Sequence, residues 1–195
     1  NIARQLKAMG YWTDWNLFNA ADFGVSQLRP RVVCVALRHD IAPFFGWPEP
    51  SSKSPPTVGV LLHDLMRANG WQGADSWRDQ ANAIAPTLVG GSKKHGGPDL
   101  GPTRSRAAWA ALGVDGRGLA DEPPAADFAG APRLTVRMCA RVQGFPDDWK
   151  FAGKKTSAYR QVGNAFPPPV AHAVSARIAL AIEQAASHRL MKLAA

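Results

Sequence analysis

Gln27-Leu-Arg29-Pro-Arg31 places two guanidinium groups at alternate positions of one short segment. Alternate residues of an extended chain share a face, and a guanidinium offers a planar fork of donors suited to a phosphate or the edge of a base. Pro30 has no amide hydrogen for a ladder, so the pair is expected at a sheet edge or strand start. Two ordinary surface arginines at a sheet edge would look the same in isolation. Gly163-Asn164-Ala-Phe-Pro-Pro-Pro169 reads as a rigid turn before a helix, where backbone donors and an amide side chain can meet a polar ligand. Residues 133–149 begin as an amphipathic helix with Arg137 and Arg141 one turn apart and end at Gly144 and Pro146. By themselves they are a helix and a turn. Neither Cys34 nor Cys139 follows a proline or stands at metal-ligand spacing. Both are expected to be small core residues, Cys34 in a buried strand and Cys139 in a helix.

The elements that must position these groups are partly visible. Ile2, Leu6 and Met9 are spaced for a helix that Gly10 ends. Residues 14–18 read as a strand, and residues 19–30 as a polar link. Val32-Val-Cys-Val-Ala-Leu37 is an apolar run of strand length, expected to be buried on both faces. Together they predict the edge of an α/β sheet whose other strands lie outside this chain. Residues 39–57 form a Pro- and Ser-rich linker ending in Thr57, a good N-cap. Val58, Leu61, Leu62, Leu65 and Met66 follow at helical spacing, and Gly70 stops them. From 71 to 132 regular patterning is weak, with Gly90-Gly-Ser-Lys-Lys-His-Gly-Gly97 at its centre; an ordered functional loop or plain flexibility fits equally. A last helix is expected from about Val170, apolar at Val174, Ile178, Ala181 and Ile182, with Pro169 in its first turn.

The chain has 195 residues, enough for one domain or a small domain with part of a second. Its 23 Lys and Arg against 15 Asp and Glu leave a formal charge of +8, which makes an anionic polymer the first candidate partner. Residues 131–163 hold Arg133, Arg137, Arg141, Lys150, Lys154, Lys155 and Arg160 against Asp147 and Asp148, as a surface facing phosphates or a solvated helix face would. Residues 121–127 are acidic instead. Two cysteines make no disulfide framework and fit a reducing, intracellular setting. The longest apolar run is too short to span a bilayer. The chain opens on Asn1 in what reads as mid-helix, so a fragment, a processed product or a trimmed chain is expected.

The order of the three segments resembles the C-terminal portion of DNA cytosine-C5 methyltransferases, which carry Gln-x-Arg-x-Arg, a variable DNA-reading region, Gln-Gly-Phe-Pro and Gly-Asn-x-x-Pro-Pro. Thr87-Leu88-Val89 before Gly90-Gly91 is similar to the Thr-Leu element of the family's recognition regions, while Met138 stands where many members have Glu. The resemblance implies the edge of an α/β S-adenosylmethionine-dependent methyltransferase sheet, a C-terminal helix and a small irregular target-recognition domain. It places catalytic-domain strands in 1–57, the recognition domain in 58–149, and a return segment and packing helix in 150–195. Arg31 then approaches the flipped cytosine, with Arg29 as its supporting companion. Asn164, Ala165 and Phe166 close one side of the S-adenosylmethionine pocket. Thr87 and Leu88 reach the major groove, and Ser92, Lys93, Lys94, His95, Arg104 and Arg106 contact phosphates or bases. No metal is implied.

Double-stranded DNA is the expected substrate, and a bacterial, cytoplasmic, nucleoid-associated restriction-modification setting the usual one. In the family a thiolate attacks C6 of a cytosine taken out of the stack. The Phe-x-Gly-x-Gly, Pro-Cys and Glu-Asn-Val segments that serve this chemistry are absent here, so the chain alone is expected to be inactive and to need an N-terminal half. A DNA-binding module without catalysis is the alternative, and a relative acting on tRNA a third.

Overall fold

The computed structural model describes residues 2–90 and 98–194. Helix α1 (Ile2–Ala8) ends at Gly10, whose φ of +85° turns the chain into strand β1 (Tyr11–Asn19). A short 3₁₀ turn (Ala20–Phe23) and an irregular segment lead to β2 (Pro30–Arg38). The strands form a two-stranded antiparallel sheet in which Trp12 opposes Leu37 and Phe18 opposes Arg31. Directly opposed residues share a face. The inner face buries Phe18, Val35 and Leu37 against Val170 and Val174 of the last helix. Trp47 from the linker stacks edge-on to Phe18 and Phe45, with centroids 5.6 and 5.1 Å away, and its indole N–H donates to Asp14 at 2.9 Å.

The outer face is different. Leu17, Trp15 and Val32 are 63%, 59% and 64% exposed, and Cys34, opposite Trp15, is exposed too. Two-sided burial of residues 32–37 is therefore corrected to one-sided burial, and Cys34 is not a core residue. With two strands and one covering helix, there is nothing in the described chain to lie on the second face.

Helix α2 (Val58–Arg67) starts at Thr57, whose hydroxyl accepts from the Val60 amide, and buries Val58, Leu62 and Met66. Residues 71–132, weakly patterned in sequence, are ordered where described. They hold α3 (Ala74–Gln80) and α4 (Thr103–Ala111), and their Trp71, Trp77, Leu88, Leu100, Trp109 and Val114 form much of the larger core. Helical periodicity is faint because each helix commits few large side chains inward: Ala74 and Trp77 from α3, Trp109 from α4.

Helix α5 (Val136–Val142) begins at an N-cap on Thr135, and buries Met138, Cys139, Ala140 and Val142. An unanticipated helix, α6 (Lys155–Asn164), packs Ala158, Tyr159 and Val162 inward. The larger core thus extends past residue 150 to Tyr159 and Val162, while the smaller joins the sheet to α7 (Pro168–Ala194). Pro168 and Pro169 occupy the first turn of α7, where a missing amide hydrogen costs little. Gly144 has a φ of +89°, and a Cβ there would lie 2.8 Å from Pro169 Cδ, so only glycine lets the end of α5 close on the start of α7. No helix among the described residues is long and apolar enough to cross a membrane.

Candidate functional site

The segment before β2 is held by its own backbone. Leu28 N–H donates to Ala85 O at 2.8 Å and Ala85 N–H to Ser26 O at 3.0 Å, pairing residues 26–28 with the segment leading to 87–89. Asn19 Oδ1 accepts from the Arg29 amide at 2.9 Å. These contacts drive the Arg29 side chain inward, where it is 2% exposed.

A buried guanidinium needs acceptors for its donors. Arg29 finds backbone carbonyls: Leu88 O at 2.6 Å, Gly163 O at 2.7 Å and Ala165 O at 3.1 Å. Burial first and the neighbouring Arg31 charge second, against a raising influence from Tyr159, together lower its pKa to about 10. It stays charged at neutral pH. Arg31 is partly exposed and donates to Pro30 O at 2.7 Å. No carboxylate forms an ion pair with it among the described residues. The two guanidiniums do not form one clamp; Arg29 staples the fold, and Arg31 is the cation left at the surface.

Two glutamines complete the setting. Gln27 and Gln143 are both fully buried. Gln27 Oε1 accepts from the Leu88 amide at 2.9 Å and from Arg29 Nη1 at 3.3 Å; its Nε2 donates to Gln143 Oε1 at 2.7 Å. Gln143 Nε2 donates to Ala165 O at 2.7 Å. The Tyr159 hydroxyl donates to Val89 O at 3.0 Å, and burial holds the phenol well above its ordinary pKa, so it remains a donor. A Cβ on Gly163 would fall 2.4 Å from Gly90 Cα: the backbones of 89–90 and 163–164 touch directly.

Residues 163–166 thus meet residues 87–90. Asn164 is exposed, Ala165 half-buried and Phe166 37% exposed. Thr87 is half-buried, its hydroxyl donating to Leu28 O at 2.5 Å. Leu88 is corrected from a groove-facing residue to a core one: it is 1% exposed, and its peptide is gripped by Gln27 and Arg29. Val89, at 41%, is the exposed neighbour. Ser92, Lys93, Lys94 and His95 lie outside the described residues. On α4, Arg104 is exposed, while Arg106 is half-buried and donates to Thr103 Oγ1 at 3.4 Å.

The basic stretch 131–163 is largely engaged within the protein. Arg133 pairs with Asp115 at 3.0 Å, Lys155 with Asp121 at 2.9 Å, and Arg141 with both Asp64 and Asp147. Arg137 donates to Pro146 O and Trp149 O at 3.2 and 2.7 Å. Lys150 and Lys154 stay exposed. Arg133, Arg141 and Lys155 thus spend their charge on carboxylates of the chain, and Arg137 and Arg141 brace residues 146–149. Cys139 is fully buried, and burial pushes its thiol far above the ordinary range, which removes it as a nucleophile. No group of His, Cys, Asp or Glu among the described residues can hold a metal ion.

Gln27, Gln143 and Gly90 lie in segments the sequence singles out but carry no assigned role there, and Tyr159 is not singled out at all. A signal existed for Gln143, which directly follows the buried run Met138, Cys139, Ala140 and Val142 of α5.

The sequence model of the C-5 cytosine-specific DNA methylase family matches residues 1–179. The chain is 58% identical over 185 residues to the type II methyltransferase M.NaeI of Lentzea aerocolonigenes, covering 93% of this chain and 45% of that one. It is 52% identical over 187 residues to M.NgoMIV of Neisseria gonorrhoeae, covering 94% and 59%. The chain therefore spans about half the length of these curated relatives. In fold it is similar to the Dnmt2 methyltransferase of S. pombe, with a TM-score of 0.51 at 14% identity over 91% of this chain and 60% of that one. On this family match across most of its length, the chain belongs to the C-5 cytosine-specific DNA methylases.

Proposed function

We propose that this chain is the DNA-reading and site-closing part of an enzyme that methylates C5 of a cytosine flipped out of duplex DNA. The observation that supports it is the meeting of residues 87–90 with 163–166 through Arg29, while Arg31 has no carboxylate ion-pair partner among the described residues. Residues 1–57 act as the edge of the catalytic domain, 58–149 as the recognition domain, and 150–195 as the return onto the catalytic domain.

S-adenosylmethionine supplies the methyl group when bound. The residues fit one wall of its pocket: Phe166 leaves part of an aromatic ring open, Asn164 an amide, and Ala165 adds little bulk. Arg31 donates to the base or steadies the carboxylate that contacts it, at the start of a strand that fixes its backbone. Thr87, Val89, Arg104 and Arg106, with Lys93 and Lys94, meet the duplex. The nucleophilic thiolate belongs to a second segment, because Cys139 is a core residue and Cys34 sits within β2 rather than in a Pro-Cys segment. That segment packs on the open face of the sheet.

The test is transfer of a labelled methyl group from S-adenosylmethionine to duplex DNA. The chain alone is expected to transfer none, and to transfer once joined by a half bearing the Pro-Cys and Glu-Asn-Val segments. Robust transfer by the pure chain sinks the division of labour. Duplex binding without transfer in the joined protein would instead establish a binding module.

A further inference from the structure

The buried amides form a closed circuit. Starting at the Leu88 peptide, its N–H donates to Gln27, Gln27 donates to Gln143, and Gln143 donates to Ala165 O. Arg29 then donates both to Ala165 O and to Leu88 O, the carbonyl of the residue whose N–H began the circuit. Gln27, Gln143 and Arg29 are 0%, 0% and 2% exposed, and only the end of the circuit at the half-buried Ala165 carbonyl comes near the surface. At the buried side chains a broken link is not replaced by water, and the orphaned group carries its full desolvation penalty. Gln27 has no spare capacity, since its second amide hydrogen donates to Val142 O at 3.3 Å. A shift of Leu88 therefore strains the bonds that reach Ala165, and a shift of Ala165 those that reach Leu88.

We infer that Gln27 and Gln143 are positioning residues that couple duplex engagement at residues 87–89 to the placement of residues 164–166, and so to cofactor binding. The inference rests on the functional reading above. Neither glutamine touches substrate or cofactor. Gln27 reads the Leu88 peptide, whose flanks Thr87 and Val89 are the ones open to solvent, and Gln143 sets the Ala165 carbonyl between Asn164 and Phe166. The direct backbone contact of Gly90 with Gly163 adds a second, steric link between the same two segments. Each ligand is then expected to tighten the other by the same factor, as linkage requires.

The experiment uses the joined protein, S-adenosylhomocysteine as a cofactor probe that cannot turn over, and a duplex selected on the protein from a random-sequence pool. A scrambled duplex of equal length is the control. The selected duplex is expected to tighten S-adenosylhomocysteine binding by roughly 5- to 150-fold, the usual range for coupled sites. In Gln143→Leu and Gln27→Leu each ligand alone should bind within about threefold of the unmodified protein, while the coupling factor falls towards one. Gln143→Glu should do the same, because a carboxylate keeps Gln27 paired but faces the Ala165 carbonyl with an acceptor.

A coupling factor of one in the unmodified protein, or an unchanged factor in folded variants, overturns the inference and leaves the circuit structural. If the variants do not fold, amide exchange on the unmodified protein decides. Duplex binding is expected to slow exchange at both Leu88 and Ala165, and slowing at Leu88 alone overturns the coupling. Failure to bind any duplex is a separate outcome and sinks the functional reading with it.

Discussion

Arg29 and Arg31 are two residues apart and chemically identical, yet the fold uses them in opposite ways. Arg29 lies among carbonyls of Leu88, Gly163 and Ala165, so its planar fork is doing what a single ammonium cannot. Arg29→Lys is expected to orphan at least one of those carbonyls and lower stability by about 2–4 kcal/mol, a fall of roughly 5–15 °C in Tm for a chain of this size. A Tm within 2 °C of the unmodified chain would overturn that role. Arg31→Ala should leave Tm unchanged and, in the joined enzyme, reduce turnover by roughly 10²–10³-fold with under about tenfold loss in duplex affinity. Equal losses in both would move Arg31 from the base to the phosphates. Asp115 gives a pH signature at the same scale. Hydrogen bonds from the Arg117 side chain and backbone and from Arg133 hold its carboxyl far below the usual range. A depressed carboxylate stabilises the fold fully above the unfolded value near pH 4 and loses that contribution as pH falls towards its own lower value. Asp115→Asn should therefore lower Tm at pH 7 and narrow the gap to the parent below pH 3, as thermal unfolding across that range would reveal.

Among the elements, the contact of α6 with residues 89–90 is the most constrained. A Cβ on Gly163 meets Gly90 Cα and N at 2.4 and 2.5 Å, both backbone atoms that cannot rotate aside. Gly163→Ala is expected to separate the two segments and to lower stability by about 1–3 kcal/mol, as overpacking does; unfolding in denaturant measures it, and an unchanged midpoint would mean that the segments are not in contact. The elements also show why some of the fold was legible and some was not. Val58, Leu61, Leu62, Leu65 and Met66 declare α2 because a surface helix must keep one apolar stripe, and Thr57 marks its start. By contrast α3, α4 and α6 are short and anchored by few large side chains, among them Trp77, Trp109 and Tyr159, so local periodicity is faint and tertiary packing fixes them. At the site, the arginine motif and the Gly163-Asn164 turn were readable as local patterns. The circuit through Gln27 and Gln143 was not, since those residues are 116 apart in sequence and nothing local announces that their amides meet.

At the scale of the whole molecule, the two cores are unequal. The larger is enclosed by α2, α3, α4, α5 and α6, whereas the smaller is covered by α7 on one side of the sheet. Trp15, Leu17, Val32 and Cys34 share the other side and face solvent. Large exposed apolar patches on folded proteins mark association surfaces, and here the patch lies on a sheet that is only two strands wide. A segment that continues the catalytic domain would bury it, which fits a chain spanning about half the length of its curated relatives. Leu17 and Val32 are opposed across the strands, so the pair Leu17→Lys and Val32→Lys places two like charges at one spot on that surface. Both residues are already more than 60% exposed, so the chain's own stability should change by less than about 1 kcal/mol. If the proposed catalytic half packs on this face, joining would require both ammonium groups to leave water, and affinity should fall at least about tenfold with methyl transfer falling in parallel. Binding of the two halves, followed by titration of one into the other, separates the possibilities. Loss of assembly with an intact fold places the catalytic half on the outer face, and unchanged assembly places it elsewhere on the molecule.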